Sequence, residues 1–134
     1  MNKKISNERG YTLLELIIVL AIIGILTSIS TPFFGKFKES AAQKADEATA
    51  VTIVNAIRLY YMDTQETFNE FLISENGEKI SNEVVYREYL EEVPKPQKTS
   101  EKAFRVKIDK NENILIYYDK NGGLGEQLYP KNIP

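Results

Sequence analysis

The sequence predicts an α+β fold: a long N-terminal α-helix whose second half packs on a small antiparallel β-sheet. Three observations predict it. Residues 16–35 carry no charged side chain, and twenty residues of helix rise about 30 Å, the thickness of a bilayer's hydrocarbon core. Apolar residues then recur at intervals of three or four up to about Asp63, which is a helical period. From Phe104 the period becomes two: Phe104, Val106 and Ile108 alternate with Arg105 and Lys107, as in a strand.

The chain opens on a short polar segment, residues 1–10, with Lys3, Lys4 and Arg9 against Glu8. Positive charge ahead of an apolar segment favours a cytoplasmic N-terminus. Glu15 stands at the near edge of the apolar run 16–26. A charge there costs several kcal/mol unless it finds a partner, and no neighbouring residue in the sequence supplies one. Two plain readings compete here. One is a secretory signal peptide, for which Ser28-Ile29-Ser30 is a weak cleavage match. The other is an ordinary N-terminal anchor. Neither predicts a carboxylate at the edge of the run.

Gly10-Tyr11-Thr12-Leu13-Leu14-Glu15, following a basic leader and preceding an apolar helix, resembles the type III signal of type IV pilins and related pseudopilins. The resemblance implies a pilin-like fold and processing by a membrane-embedded prepilin peptidase. Cleavage falls between Gly10 and Tyr11, and Tyr11 becomes the N-methylated first residue. Tyrosine stands here where phenylalanine is more usual. The resemblance also implies that Glu15 pairs with the new terminal amine of a neighbouring subunit during assembly. Elementary physics runs alongside. Removing the leader creates a cation four residues from Glu15, and a buried pair of this kind is a poor source of stability but a good specifier of register. Gly10 has no side chain to keep the backbone out of a catalytic cleft. The chain thus divides into a leader, 1–10, a membrane-spanning and assembly half of the helix, 11–35, and a globular domain, 36–134.

Within the arm, Gly24 and Pro32 are the residues least suited to a helix interior. Thr27, Ser28, Ser30 and Thr31 lie between them, and their hydroxyls are expected to bond backbone carbonyls freed near the proline. A mildly kinked membrane helix suffices to explain this interval; the resemblance implies that it loses helicity when subunits pack. Beyond Phe33 the expected buried stripe is Phe34, Phe37, Ala41, Ala48, Val51, Val54, Ile57 and Tyr61. Lys36, Lys38, Glu39, Lys44, Asp46, Glu47 and Arg58 fall largely elsewhere. The first half of the helix, apolar all round, needs lipid or other copies of itself.

Residues 64–82 read as a connection in which Phe68, Phe71 and Leu72 form one or two helical turns ending at Asn76-Gly77. Residues 83–92 place Val85, Tyr86, Tyr89 and Leu90 on one face of a short helix before Pro94, with a strand as the weaker option. Residues 114–118 form a second strand, joined to the first by a hairpin at 109–113. The Asp109-x-Asn111-x-Asn113 spacing is that of a calcium loop, but Ile114 replaces the required glycine and Lys120 the bidentate glutamate, so a turn is favoured over an ion site. Residues 119–123 form another turn, and Leu128, Tyr129 and Ile133 a last edge strand or packed tail. Seven tyrosines fall in the soluble half. They line the seam between helix and sheet or, as the alternative, form an adhesive surface.

Composition bounds the chemistry. The chain has neither cysteine nor histidine, which removes disulfides, thiolate metal sites, thiol nucleophiles and the commonest general base. An enzyme is the least supported class; no catalytic residue, metal or cofactor is expected. A net charge of −2 argues against nucleic acid as a partner of the subunit. The function implied by the resemblance is a structural subunit of a type IV pilus-like filament. It is inserted in the cytoplasmic membrane with its N-terminus inside, and polymerises through its helix into a homo-oligomer at the cell surface. Prepilin peptidase, the membrane and an inner-membrane assembly machinery are its partners. The rival is a pseudopilin of a type II secretion or competence DNA-uptake system; a more distant one is a membrane-anchored binding module that never polymerises. The family commonly braces its C-terminal region with a disulfide, so here hydrogen bonds and packing must hold that tail.

Overall fold

The computed structural model describes residues 11–68 and 70–131; the expectations for Gly10 and Ile133 lie outside them. Helix α1, Leu13–Thr64, is followed by a single turn of helix, α2 (Glu70–Ile73), a two-residue strand β1 (Glu78–Lys79) and a 3₁₀ turn at Val85–Tyr89. Three longer strands follow: β2 (Phe104–Ile108), β3 (Ile114–Lys120) and β4 (Gly123–Tyr129). Together with β1 they form one sheet in the order β1-β2-β3-β4, every pair antiparallel. The chain divides into two compact units, one up to Phe37 and one from Lys38.

In the first unit the helix is assigned without interruption through Gly24 and Pro32. Its apolar side chains are exposed. The hydroxyls of Thr27, Ser28, Ser30 and Thr31 donate to the carbonyls of Ile23, Ile25, Leu26 and Thr27. These carbonyls precede that of Ser28, the one a proline at position 32 deprives of its helical donor. The hydroxyls are thus absorbed by their own helix, but not at the carbonyl the proline frees.

In the second unit one helical stripe is buried: Asp46, Ala50, Ile53, Val54 and Ile57, spaced so as to share a face. This corrects the stripe expected from hydropathy. Val54 and Ile57 are core, and Tyr61 packs against it, but Ala41, Ala48 and Val51 are exposed. Phe34 and Phe37, expected on the same stripe, are exposed too. Asp46, expected among the outward charges, is fully buried. The helix meets the inner face of the sheet, where Phe104, Val106, Ile116, Tyr118 and Leu128 are buried. Phe104 and Tyr118, paired across β2 and β3, stack with centroids 6.0 Å apart.

Both hairpins follow from local chemistry. Between β2 and β3, Asp109 accepts hydrogen bonds from the amides of Asn111 and Asn113 and from the Asn113 side chain. The Asn113 side chain first, then these amides, hold the Asp109 carboxyl below its ordinary range. Between β3 and β4, Asn121 and Gly122 both have positive φ, the primed turn that suits a twisted hairpin. The last strand begins at Gly123 and so is longer than Leu128 and Tyr129 alone suggest.

Three further differences have physical causes. Residues 83–92 hold only the 3₁₀ turn, with Tyr86 and Leu90 buried, Tyr89 half-buried and Val85 exposed. Strand β1 is too short for any alternation to show; it is fixed by pairing Glu78 with Val106 and Lys79 with Arg105. Arg105, on the polar side of β2, is buried. Its Nη2 lies 2.7 Å from Asp119 Oδ1, and its Nη1 donates to the carbonyls of Asn76 and Gly77.

The tail is held without a disulfide. Lys131 Nζ meets Glu47 Oε1 at 2.8 Å, and Arg58 donates to the Tyr129 hydroxyl. The tyrosines divide along the seam: Tyr86 and Tyr118 are in the core, and Tyr60, Tyr61, Tyr89 and Tyr129 pack against it. At the rim the Tyr60 hydroxyl donates to Glu66 and that of Tyr89 to Asp63. The bond to Glu66 is the main reason the Tyr60 hydroxyl is pushed up to about 12.

Candidate functional site

The residues singled out in the sequence gather at the start of α1. Tyr11 is exposed, Thr12 precedes the first helical residue, and Glu15 lies in the first turn. The first four N–H groups of any helix lack intrahelical partners. Here Thr12 and Glu15 satisfy two of them reciprocally. The Thr12 amide donates to Glu15 Oε2 at 2.7 Å, and the Glu15 amide donates to Thr12 Oγ1 at 3.3 Å. The Thr12 hydroxyl adds a third bond, 2.9 Å to the same Oε2. This is a capping box, and its signature, Thr-x-x-Glu ahead of an apolar run, is legible in the sequence.

The expectation that no neighbour of Glu15 supplies a partner is therefore wrong. Thr12 supplies two donors, and the positive end of the helix dipole adds to them. The local partner follows from geometry, because side chains on a helix lean toward its N-terminus and bring residue N3 back onto the cap. Gly24 has open space around its backbone, and neither it nor Pro32 is brought near this group by any described contact.

A second polar constellation was missed entirely. The Asp46 carboxylate accepts from the amide of Gln97 at 2.6 Å, the amide of Lys98 at 3.0 Å and the hydroxyl of Tyr118 at 2.8 Å. Lys98 then reaches Glu126 at 3.1 Å and lies over the Tyr118 ring, while Gln43 donates to the other oxygen of Glu126. The cluster joins helix, loop and sheet and leaves no reactive group open; its role is architectural. Burial first, then the bond to Asp46, pushes the Tyr118 hydroxyl well above its ordinary range. No sequence signal marks Asp46, since its donors are two backbone amides and a residue far along the chain. Among the described residues, no three histidine, cysteine or acidic side chains gather as metal ligands would.

Among the described residues one helix, Leu13–Thr64, is long and apolar enough to cross a membrane, with a mean hydropathy of 2.5 over its most apolar stretch. The family described as the prokaryotic N-terminal methylation motif matches residues 5–31. Over 58 residues the chain is 38% identical to type II secretion system core protein G of Escherichia coli (strain K12), covering 43% of this chain and 40% of that protein. It is 35% identical over 64 residues to the type IV major pilin protein PilA of Myxococcus xanthus, covering 48% and 29%. The prepilin peptidase-dependent protein A of Clostridium perfringens is 27% identical over 123 residues, covering 84% of this chain and 86% of that one. The chain thus spans less than half the length of the first two relatives. No solved structure matches it. In its methylation motif, its apolar N-terminal helix and its antiparallel sheet, the chain is similar to type IV pilins and pseudopilins.

Proposed function

We propose that the chain is a structural subunit of a type IV pilus-like filament, stored in the membrane through residues 11–35 and polymerised through its helix. The observation that carries this reading is an acidic group at the head of a helix whose apolar side chains are exposed on every face. Such a surface is satisfied only by lipid or by copies of itself. The face of the second unit's helix turned from the core continues the theme, with Val51, Leu59 and Met62 exposed beside Ala41 and Ala48.

In this reading the prepilin peptidase cuts between Gly10 and Tyr11, Tyr11 is N-methylated, and the new amine pairs with Glu15 of a neighbour. Gly24 and Pro32 are the points where the arm yields on packing. An inner-membrane machinery drives assembly, and the filament stands at the cell surface. The second reading, a pseudopilin of a secretion or DNA-uptake system, is favoured by the likeness to a secretion core protein. The two are separated by electron microscopy of sheared fibres with identification by mass: a pilus contains this chain in bulk as long fibres, a pseudopilus does not. Mass spectrometry of the membrane form should find methylated Tyr11 as the first residue, and an intact Met1 would refute processing. Glu15→Ala should abolish or misalign assembly while membrane insertion persists. Normal filaments from that variant would remove Glu15 from the mechanism.

A further inference from the structure

We infer that Tyr60 and Tyr89 form an oxidative cross-linking site, where hydrogen peroxide, acting through a haem peroxidase, joins the two rings as a dityrosine bridge. The rings meet edge to face with centroids 6.0 Å apart. Each hydroxyl donates to a carboxylate, that of Tyr60 to Glu66 Oε2 at 2.7 Å and that of Tyr89 to Asp63 Oδ2. Both side chains are half-buried, so they are seated against the core yet open to solvent on one side. Two other tyrosines share some of these features. Tyr118 also donates to a carboxylate, but it is fully buried and stacks on Phe104. Tyr61 touches Tyr60, with centroids 4.9 Å apart, but it follows Tyr60 on the same helix, and its ring is held against Phe68 at 4.6 Å.

A phenol gives up an electron readily when its proton can leave at the same time. Both hydroxyls are held protonated above their ordinary range, each chiefly by its bond to the carboxylate, and that carboxylate receives the proton when the electron goes. Two such oxidations give two phenoxyl radicals, which couple through the ring carbons beside the oxygens. Each of those carbons then sheds its hydrogen as a proton, and each oxygen regains one. The peroxide takes up two electrons and two protons and leaves as two water molecules. Coupled rings lie closer than these two do, and partly exposed side chains swing fast enough to close the gap. The bridge ties the end of α1 to the 3₁₀ turn across the connection between them, in a chain with no cysteine to do so.

The test treats the dilute full chain in detergent with horseradish peroxidase and hydrogen peroxide. Mass spectrometry of the digest should find the Tyr60 and Tyr89 peptides joined with the loss of two hydrogen atoms, as the main product within one chain. Tyr60→Phe and Tyr89→Phe should each abolish it, and unfolding in urea before treatment should do the same. Asp63→Asn and Glu66→Gln, which keep an acceptor but not a base, should each slow it by about tenfold or more. A Tyr60–Tyr61 product in excess, or a mixture that does not favour the 60–89 pair, would overturn the site. An unchanged rate in both carboxylate variants would overturn the chemistry assigned to it. The bridged chain should also unfold at higher urea than the untreated chain, and an unchanged midpoint would remove its role as a brace.

Discussion

Replacing Asp46 is the sharpest probe of what holds the globular unit together. Its carboxylate receives two backbone amides of the segment before β2 and the hydroxyl of Tyr118 in β3, all within 3.0 Å. Each bond to an ionised acceptor contributes about 1.5–3 kcal/mol, but three donors on one group do not add in full. Asp46→Ala leaves those donors without their acceptor beside a small cavity, and removing one side of such a buried arrangement costs about 3–5 kcal/mol. That is a large share of the roughly 5–15 kcal/mol by which a domain of this size is stable. Asp46→Asn should cost about half as much, because its amide oxygen still serves one edge while its NH2 faces an amide donor on the other. Tyr118→Phe removes a single donor and should cost about 1–2 kcal/mol. Urea unfolding of the full chain in detergent, followed by the near-ultraviolet tyrosine signal, reads all three. A loss below about 1 kcal/mol for Asp46→Ala would refute the reasoning, because it would mean the segment at 97–98 is held by packing alone.

Two further outcomes concern the same unit. The hydroxyls of Tyr86 and Tyr118 are raised in the folded state, Tyr86 by burial first and then by the charge of Glu78, and Tyr118 by burial first and then by Asp46. A group raised in this way stabilises the fold fully below its unfolded value, about 10 for tyrosine, and that stability is lost as pH climbs through the folded value. The thermal midpoint should therefore be insensitive to these groups up to about pH 9 and fall above about pH 10. Tyr86→Phe should flatten that fall. The Tyr86 hydroxyl is buried with no hydrogen-bond partner among the described residues, so the substitution should be neutral or slightly stabilising at pH 7, and a large loss there would contradict that environment. Gly77 has φ 63°, and a Cβ would come within 2.1 Å of the Val106 carbonyl oxygen. Gly77→Ala should cost about 2–5 kcal/mol in the same urea assay, since both the left-handed backbone and the close approach of β1 to β2 oppose it.

How much of this was legible in the sequence depends on the length scale of the determining interaction. The apolar arm, the Glu15 anomaly and the β2–β3 hairpin are written in adjacent residues. So was the Thr12–Glu15 box, whose four-residue signature lay inside the stretch already singled out. The phase of the buried stripe on α1 was not legible. Alanines at 41, 42, 45, 48, 50 and 56 occur all round the helix, so small residues could not tell core from surface. The choice fell to Ile53, Val54 and Ile57 on one side against Val51, Leu59 and Met62 on the other, and the sheet decided it. Asp46 and Arg105 were misplaced because a charged residue is read as outward until its partners are known. Their partners are Gln97, Lys98 and Tyr118 for one, and Asn76, Gly77 and Asp119 for the other. Those pairings exist only after folding.

The polar ties between α1 and the rest of its unit have a mechanical meaning. They occur at Gln43, Asp46, Glu47, Arg58 and Asp63, along about 30 Å of helix at 1.5 Å per residue. A pull along the helix axis loads these attachments side by side, in shear, instead of opening them one after another as a zipper opens. Each therefore carries a fraction of the tension. A pull on the helix thus leaves the sheet seated without a covalent bridge.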